Sequence, residues 1–364
     1  MIVREVTDIL EELAPLSYAE DFDNVGLLVG EPTTEVTGIL VTLDTLESVV
    51  EEAIAENCNL IISFHPIIFK GLKKITGATY VERVVIKAIQ HGICIYSMHT
   101  ALDNMQQGVN HKICDVLGIM NPKILLPQKG SIKKLVTYVP IAAADSLKKA
   151  LFDVGGGSIG NYSHCSFALE GTGSFKPEKS AEPTVGKKGE VHYEKETQIH
   201  ITFPSNIQKQ LIKALFEHHP YEEVAYELYT LENTNQQIGM GMIGELAAPM
   251  AEKDVLKLVK DRMHAMGIRH SSLLGKKIQR VAVLGGSGAF AISAAKAQGA
   301  DLFITADIKY HQFYEAENCM VIADIGHYES EQYTKNLLVD YLTKKIPNFA
   351  IALSKSITNP IKYY

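Results

Sequence analysis

The sequence predicts an α/β protein: two related α/β halves forming one split domain, with an α+β domain inserted between them. Three observations carry this reading. Short apolar runs bounded by turn residues alternate with helix-spaced amphipathic stretches at both ends of the chain, the pattern of a parallel sheet covered on both faces. Similar segments recur at the two ends in the same order, which marks a repeat. Between them, strands and helices follow a different order.

In the first half, Ile2, Val6, Ile9, Leu10 and Leu13 have helical spacing over 2–14. Residues 38–43 read as a strand. Residues 46–57 read as a helix, with Leu46, Val49, Val50, Ala53 and Ile54 on one side. Residues 59–63 and 93–97 are two further buried-type strands. Near the other end, 278–284, 301–305 and 319–323 read as strands and 289–298 as an Ala-rich helix. An offset of 242 places Ile39 and Val41 on Val281 and Val283, Asn59 to Ser63 on Asp301 to Thr305, and His65 on Asp307. A His-x-x-x-carboxylate pattern follows an apolar strand in each half, as His99 with Asp103 and as His327 with Glu331.

In the middle, 132–139 reads as a strand, 145–153 as a helix, 165–169 and 190–203 as strands, 205–218 as a helix and 223–231 as a last strand. The β-α-β-β-α-β order suggests a ferredoxin-like unit. Residues 171–190, rich in Gly, Pro and Lys, read as a long exposed loop. The expected division is 1–127 with 245–364 for the split domain and 128–244 for the insert.

Composition narrows the function classes. A chain of 364 residues exceeds one ordinary core. A hydrophobic fraction of 46% and a charged fraction of 21% exclude a disordered chain, a fibre and a coiled coil. The net charge of −7 disfavours a nucleic-acid scaffold. No apolar run reaches the ~18–20 residues that span a bilayer, and the N-terminal stretch does not read as a signal peptide. Five scattered cysteines with no CxxC pair suggest a reducing, cytoplasmic setting.

Metal-capable side chains cluster at or just beyond the carboxyl ends of the expected strands: His65, His99 with Asp103, Asp307 with His311, and His327 with Glu331. Ligand crevices of open α/β sheets lie at those ends, and residues at i and i+4 share one helix face. Imidazole with carboxylate suits zinc, iron or manganese. A bridging carboxylate such as Glu331 could hold two ions about 3.5–4 Å apart. A lone His at a strand end, or one His–carboxylate pair, is more often an ordinary hydrogen-bonded arrangement; the repetition is what favours a site. The run Leu284 to Gly288 follows a strand and opens a helix. It reads as a tight turn or as backbone N–H groups facing an anion. Asp21 and Asp23 read as turn residues, with cavity lining by Asp23 and Asn24 as the alternative. Asp307 and His311 would orient neighbours, carry protons, or form a structural pair. His218, His219 and Pro220 read as a helix end, and Lys176, Lys179, Lys187 and Lys188 as a solvated loop or a seat for an anionic ligand.

Four segments resemble the dinuclear metal-centre proteins related to the NGG-interacting factor, known as GTP cyclohydrolase 1 type 2 homologues. They are Asp21 to Leu27 (DFDNVGL), Ser63 to Gly71 (SFHPIIFKG), His99 to Asp103 (HTALD) and Gly326 to Glu331 (GHYESE). The insert, with Gly171 to Phe175 and His219 to Ala225, is similar to the PII/CutA-like domain of the longer bacterial members. The resemblance implies a two-ion site where the halves meet and a toroidal homohexamer with its sites facing an internal cavity. It also implies His65 and His327 on one ion, Asp103 on the other and Glu331 bridging both. One position departs from the family pattern. Where the family has His-His-Pro, Phe64 replaces the first His, which would have served the same ion as Asp103. The second ion is then weak, absent, or held with help from His99. The expected protein therefore carries one or two divalent ions per chain and uses metal-activated water on a nucleotide-like small molecule, with His99 or His311 moving protons. GTP ring opening is a family implication only. The alternative is a non-catalytic ring-shaped binding or regulatory protein with a partial metal site.

Overall fold

The computed structural model describes all 364 residues, and the chain is a mixed α/β structure with three sheets. It divides into two compact units, one of residues 1–127 with 236–364 and one of residues 128–235.

The larger unit holds two sheets. In the first, the strands Cys94–Ser97, Leu60–Ser63, Ile39–Thr42 and Ile351–Leu353 run parallel, and Gly26–Val29 closes one edge antiparallel. In the second, Val321–Asp324, Leu302–Ala306 and Lys277–Ser287 run parallel at the centre. Gly239–Ala251, Met120–Pro127 and Arg269–His270 are antiparallel additions. Each central strand is buried on both faces, so alternation sorts its residues between two cores and not between core and water. Leu40, Ile61 and Ile95 meet Val49, Val50 and Val84 of the helices Glu47–Ala55 and Tyr80–Gln90. Ile39, Val41, Leu60 and Ile62 turn the other way, into a core they share with Val281, Val283, Leu302 and Ile304 of the second sheet. Leu10, Ile113 and Leu338 complete that core from the helices Val3–Leu13, Val109–Leu117 and Thr334–Lys345.

The two sheets pair in the same register. Ile39 stands opposite Leu60 and Val41 opposite Ile62. Val281 stands opposite Leu302 and Val283 opposite Ile304. Both pairs of partners are related by the offset seen in the sequence. A five-residue helix follows the last parallel strand of each run, His99–Asp103 after Cys94–Ser97 and His327–Glu331 after Val321–Asp324.

In the smaller unit, the strands Ile132–Pro140, Phe167–Phe175, His192–Pro204 and Tyr226–Thr230 form one antiparallel sheet. Its spatial order is 167–175, 192–204, 132–140, 226–230. Leu147, Leu151, Leu211 and Leu215 of the helices Ala144–Asp153 and Gln208–His218 bury against Leu135, Val139, Ile199 and Phe203. Three expectations shift. The strand at 165–169 runs on to Phe175, so the irregular segment is 176–191. The stretch 289–298 starts as a 3₁₀ turn before the helix Ile292–Ala297. The strand Gly239–Ala251 belongs to the larger unit's sheet, because both of its partners lie there. No helix is long and apolar enough to cross a membrane.

Candidate metal centre

Residues just past the strand ends of both sheets build the site in the larger unit. After Leu60–Ser63 the chain is tied down by Phe64 N–H donating to the Thr42 carbonyl (3.1 Å) and His65 N–H to the Leu43 carbonyl (2.9 Å). The Ser63 hydroxyl donates to the His65 carbonyl (2.8 Å) and the Ser97 hydroxyl to that of Phe64 (2.7 Å). This fixes His65 over the strand end. The helix His327–Glu331 brings His327 and Glu331 to one face at i and i+4.

His65 Nδ1 lies 2.8 Å from Asp44 Oδ1, and His327 Nδ1 lies 2.7 Å from Asp307 Oδ2. A carboxylate can only accept, so both rings carry their proton on Nδ1 and present Nε2 inward. The two Nε2 atoms stand 3.1 Å and 3.2 Å from the same oxygen, Glu331 Oε2. Close as they are, His65 Nε2 and Glu331 Oε2 lack the alignment of a hydrogen bond and are buried without any hydrogen-bond partner. His65, His327 and Glu331 offer ligand atoms that all lie within 4.8 Å of one another. Ligands bonded at ~2.0–2.1 Å to one tetrahedral ion stand roughly 3.4 Å apart, so the donor set and its spacing fit a divalent ion.

The electrostatics make the same demand. Burial by itself would lower the pKa of His65, but the Glu331 and Asp44 carboxylates outweigh it and raise it to about 10. His327 is raised to about 11 against the same desolvation, by Asp307 and Glu331. Burial would raise Glu331, yet the two imidazoles hold it below the usual carboxylate range. The cluster stabilises positive charge at its centre, supplied by two protons or by a metal ion.

The other expected residues fall around this group. His99 lies next to it, its ring centroid 5.3 Å from that of His65 and its Nδ1 2.8 Å from Asp23 Oδ1. Asp103 stands outside the three-residue group; its Oδ1 is buried without a hydrogen-bond partner. Burial and the Glu331 carboxylate raise its pKa well above the usual range. Phe64 is fully buried, with its ring 4.9 Å from that of His65 and 5.6 Å from that of His99. His311 is exposed, with its ring against Tyr310 and Tyr314, and is not brought to the group. His219 uses both ring nitrogens on backbone, one with the Tyr138 carbonyl and one with Tyr221 N–H. The glycine run offers less to an anion than its sequence suggests. Gly285 N–H donates to Asn110 Oδ1 and Gly286 N–H to Ser330 Oγ, both at 2.9 Å. The strand continues through these glycines to Ser287. The sequence does not announce Asp44, because a lone acidic residue after a short strand carries no spacing signal.

The profile of the Duf34/NIF3 (NGG1p interacting factor 3) family matches residues 1–360. The chain belongs to this family. Among its relatives is the GTP cyclohydrolase 1 type 2 homolog of Bacillus subtilis, 35% identical over 99% of this chain and 98% of the relative. That of Halalkalibacterium halodurans is 36% identical over 98% of each. A solved Bacillus cereus protein related to NIF3 superposes with a TM-score of 0.86 at 35% identity, covering 100% of this chain and 99% of its own. A Staphylococcus aureus protein does so with a TM-score of 0.79 at 30% identity, covering 100% and 99%. In this NIF3-family chain the inward-facing group adjoins a cavity of about 240 Å³. Phe22, His99, Asp103 and Phe290 line it together with His327 and Glu331.

Proposed function

We propose that this NIF3-family protein holds a divalent ion on His65 Nε2, His327 Nε2 and Glu331, and hydrolyses a nucleotide-like small molecule bound in the adjoining cavity. The observation that supports it is the pair of carboxylate-oriented imidazoles aimed at one buried carboxylate oxygen that has no hydrogen-bond partner. Zinc, iron and manganese suit this donor set. A bound ion would lower the pKa of a water molecule towards neutrality and so supply a nucleophile. The chain's own residues do the rest. Asp44 and Asp307 hold the imidazole tautomers. Asp23 orients His99, whose Nε2 is left to take or give a proton at the cavity wall. Phe22 and Phe290 give the cavity two aromatic walls on which a planar base can stack. The name of the relatives, GTP cyclohydrolase 1 type 2 homolog, points to a guanine nucleotide as the substrate.

The finer architecture belongs to the same proposal. The matched registers support reading the halves as related, and the sheet order of the smaller unit supports a ferredoxin-like insert. A homohexameric ring in the cytoplasm is the assembly and location we propose, on the family resemblance and on the scattered cysteines.

One observation favours a second reading, a binding or regulatory protein. Phe64 fills the position beside His65 and His99 with a ring that cannot ligate, so the proposed site holds one ion firmly. The test is elemental mass spectrometry on untagged wild type, Glu331→Ala and Phe64→His. About one ion per wild-type chain, lost in Glu331→Ala, supports the proposed site. A second ion in Phe64→His accompanied by hydrolytic activity supports the enzyme, whereas a second ion without activity supports the binding reading. No ion in the wild type overturns both.

A further inference from the structure

The smaller unit contains a cavity of about 510 Å³, within the range of small-molecule pockets. The sheet forms its floor, and the segment that follows Phe175 forms its roof. That segment is irregular but tied down. The Thr184 hydroxyl donates to the Pro220 carbonyl (2.7 Å), Glu182 N–H to Glu222 Oε1 (2.8 Å) and Gly189 N–H to the Pro177 carbonyl (2.7 Å). The walls are chiefly apolar, from Phe175, Pro177, Pro183, Val185 and Tyr221.

One charged group sits inside. Glu196 is only 9% exposed and lines the cavity. The Tyr221 hydroxyl donates to its Oε1 at 2.9 Å. Its Oε2 lies over Gly173, where a Cβ would come within 2.0 Å of that oxygen, and no protein donor reaches it. Glycine at 173 is therefore what makes room for the carboxylate. No lysine or arginine pairs with Glu196. The remaining charged lining is Glu178, Glu222 and Glu223 against the single Lys176. Lys179, Lys187 and Lys188 lie outside the lining, so the loop's lysines do not make an anion site here. A carboxylate with one neutral donor, lining a chiefly apolar cavity, is a fitting partner for a cation.

We infer that this cavity is a binding site for a small organic cation, an ammonium group carried on an aromatic or branched apolar body. The ammonium would bond Glu196 Oε2, and the body would lie against Phe175 and Tyr221. The site lies wholly within residues 138–225 and does not depend on the proposed metal.

The test uses the full chain and three matched probes: 2-phenylethylamine, 2-phenylethanol and 3-phenylpropanoate, titrated by ligand-observed NMR. The amine should bind, the alcohol more weakly and the acid not at all. Glu196→Gln keeps the shape and removes the charge, and should weaken the amine about tenfold or more. Glu217→Gln, an exposed carboxylate on the helix Gln208–His218 and outside the lining, should leave it unchanged. Binding of the acid as tight as that of the amine overturns the inference. So does an amine affinity indifferent to Glu196→Gln, an equal loss in Glu217→Gln, or no amine binding at all. If Glu196→Gln fails to fold, the order of the three probes on the wild type decides alone.

Discussion

At Asp44 and Asp307, one hydrogen bond each decides which nitrogen of His65 and His327 faces the centre. Replacing either aspartate with asparagine keeps the size and loses the charge that holds the Nδ1 proton. Metal affinity should fall about 10–100-fold, read by competition with a chromogenic chelator; an unchanged affinity would show that the ring orientations are set by packing alone. Protons compete for the same centre. The raised pKa values mean that the charge-pair stabilisation of the ion-free protein is present below the ordinary histidine range. It is lost as pH rises through about 10 for His65 and about 11 for His327. Metal binding runs with the opposite sign, because an ion arriving at neutral pH displaces both protons. Calorimetry in two buffers of different ionisation heat should register about two protons released per ion, with affinity rising as pH rises. Release near zero would mean that the imidazoles are already neutral. At this scale the sequence was informative where chemistry repeats. His327 and Glu331 share a helix face, and His65 follows an equivalent strand, so all three were legible. Asp44 and the burial of Phe64 were not, because neither carries a period or a motif.

The elements explain why the chain brings those side chains together. Parallel strands buried on both faces announce themselves as continuous apolar runs, so Ile39–Thr42, Leu60–Ser63 and Cys94–Ser97 could be placed from sequence. Edge strands could not. Gly26–Val29 and Ile351–Leu353 are three or four residues long and are held by partners remote in sequence. Glycines misled in both units, since Gly171, Gly173, Gly285 and Gly286 suggest loops but lie within strands. Gly286 shows what its place in the strand requires. Its φ is +66°, and a Cβ there would stand 2.3 Å from Glu331 Oε1. Gly286→Ala should cost about 1–2 kcal/mol in backbone conformation and push Glu331 off the centre. Thermal unfolding should move down, and elemental analysis should show most of the metal lost. A variant that melts lower but keeps its ion would separate the strand's conformation from the site.

The whole molecule raises the question of why a second unit can interrupt the first without unmaking its site. The chain leaves the larger unit after Met120–Pro127 and re-enters it before Gly239–Ala251, and these two strands are antiparallel neighbours. Gly239 stands opposite Pro127 and Met240 opposite Leu126. The insert thus occupies the position of a hairpin turn, the place where added chain disturbs a sheet least. The core of the larger unit and all three candidate ligand residues come from outside residues 128–235. The smaller unit has its own core of Leu135, Leu147, Ile199, Phe203 and Leu211. Replacing residues 128–235 with a short Gly-Ser turn should therefore leave a chain that unfolds cooperatively and carries the same number of ions as the full protein. Differential scanning calorimetry and elemental analysis check both halves of that statement. A shortened chain that folds but loses its metal would show that the insert supports the centre. One that fails to fold would show that the hairpin position is not independent of what it carries. Retention of both would mean that the metal centre is a property of the two paired halves alone, leaving the acidic cavity of the insert to answer to its own ligand.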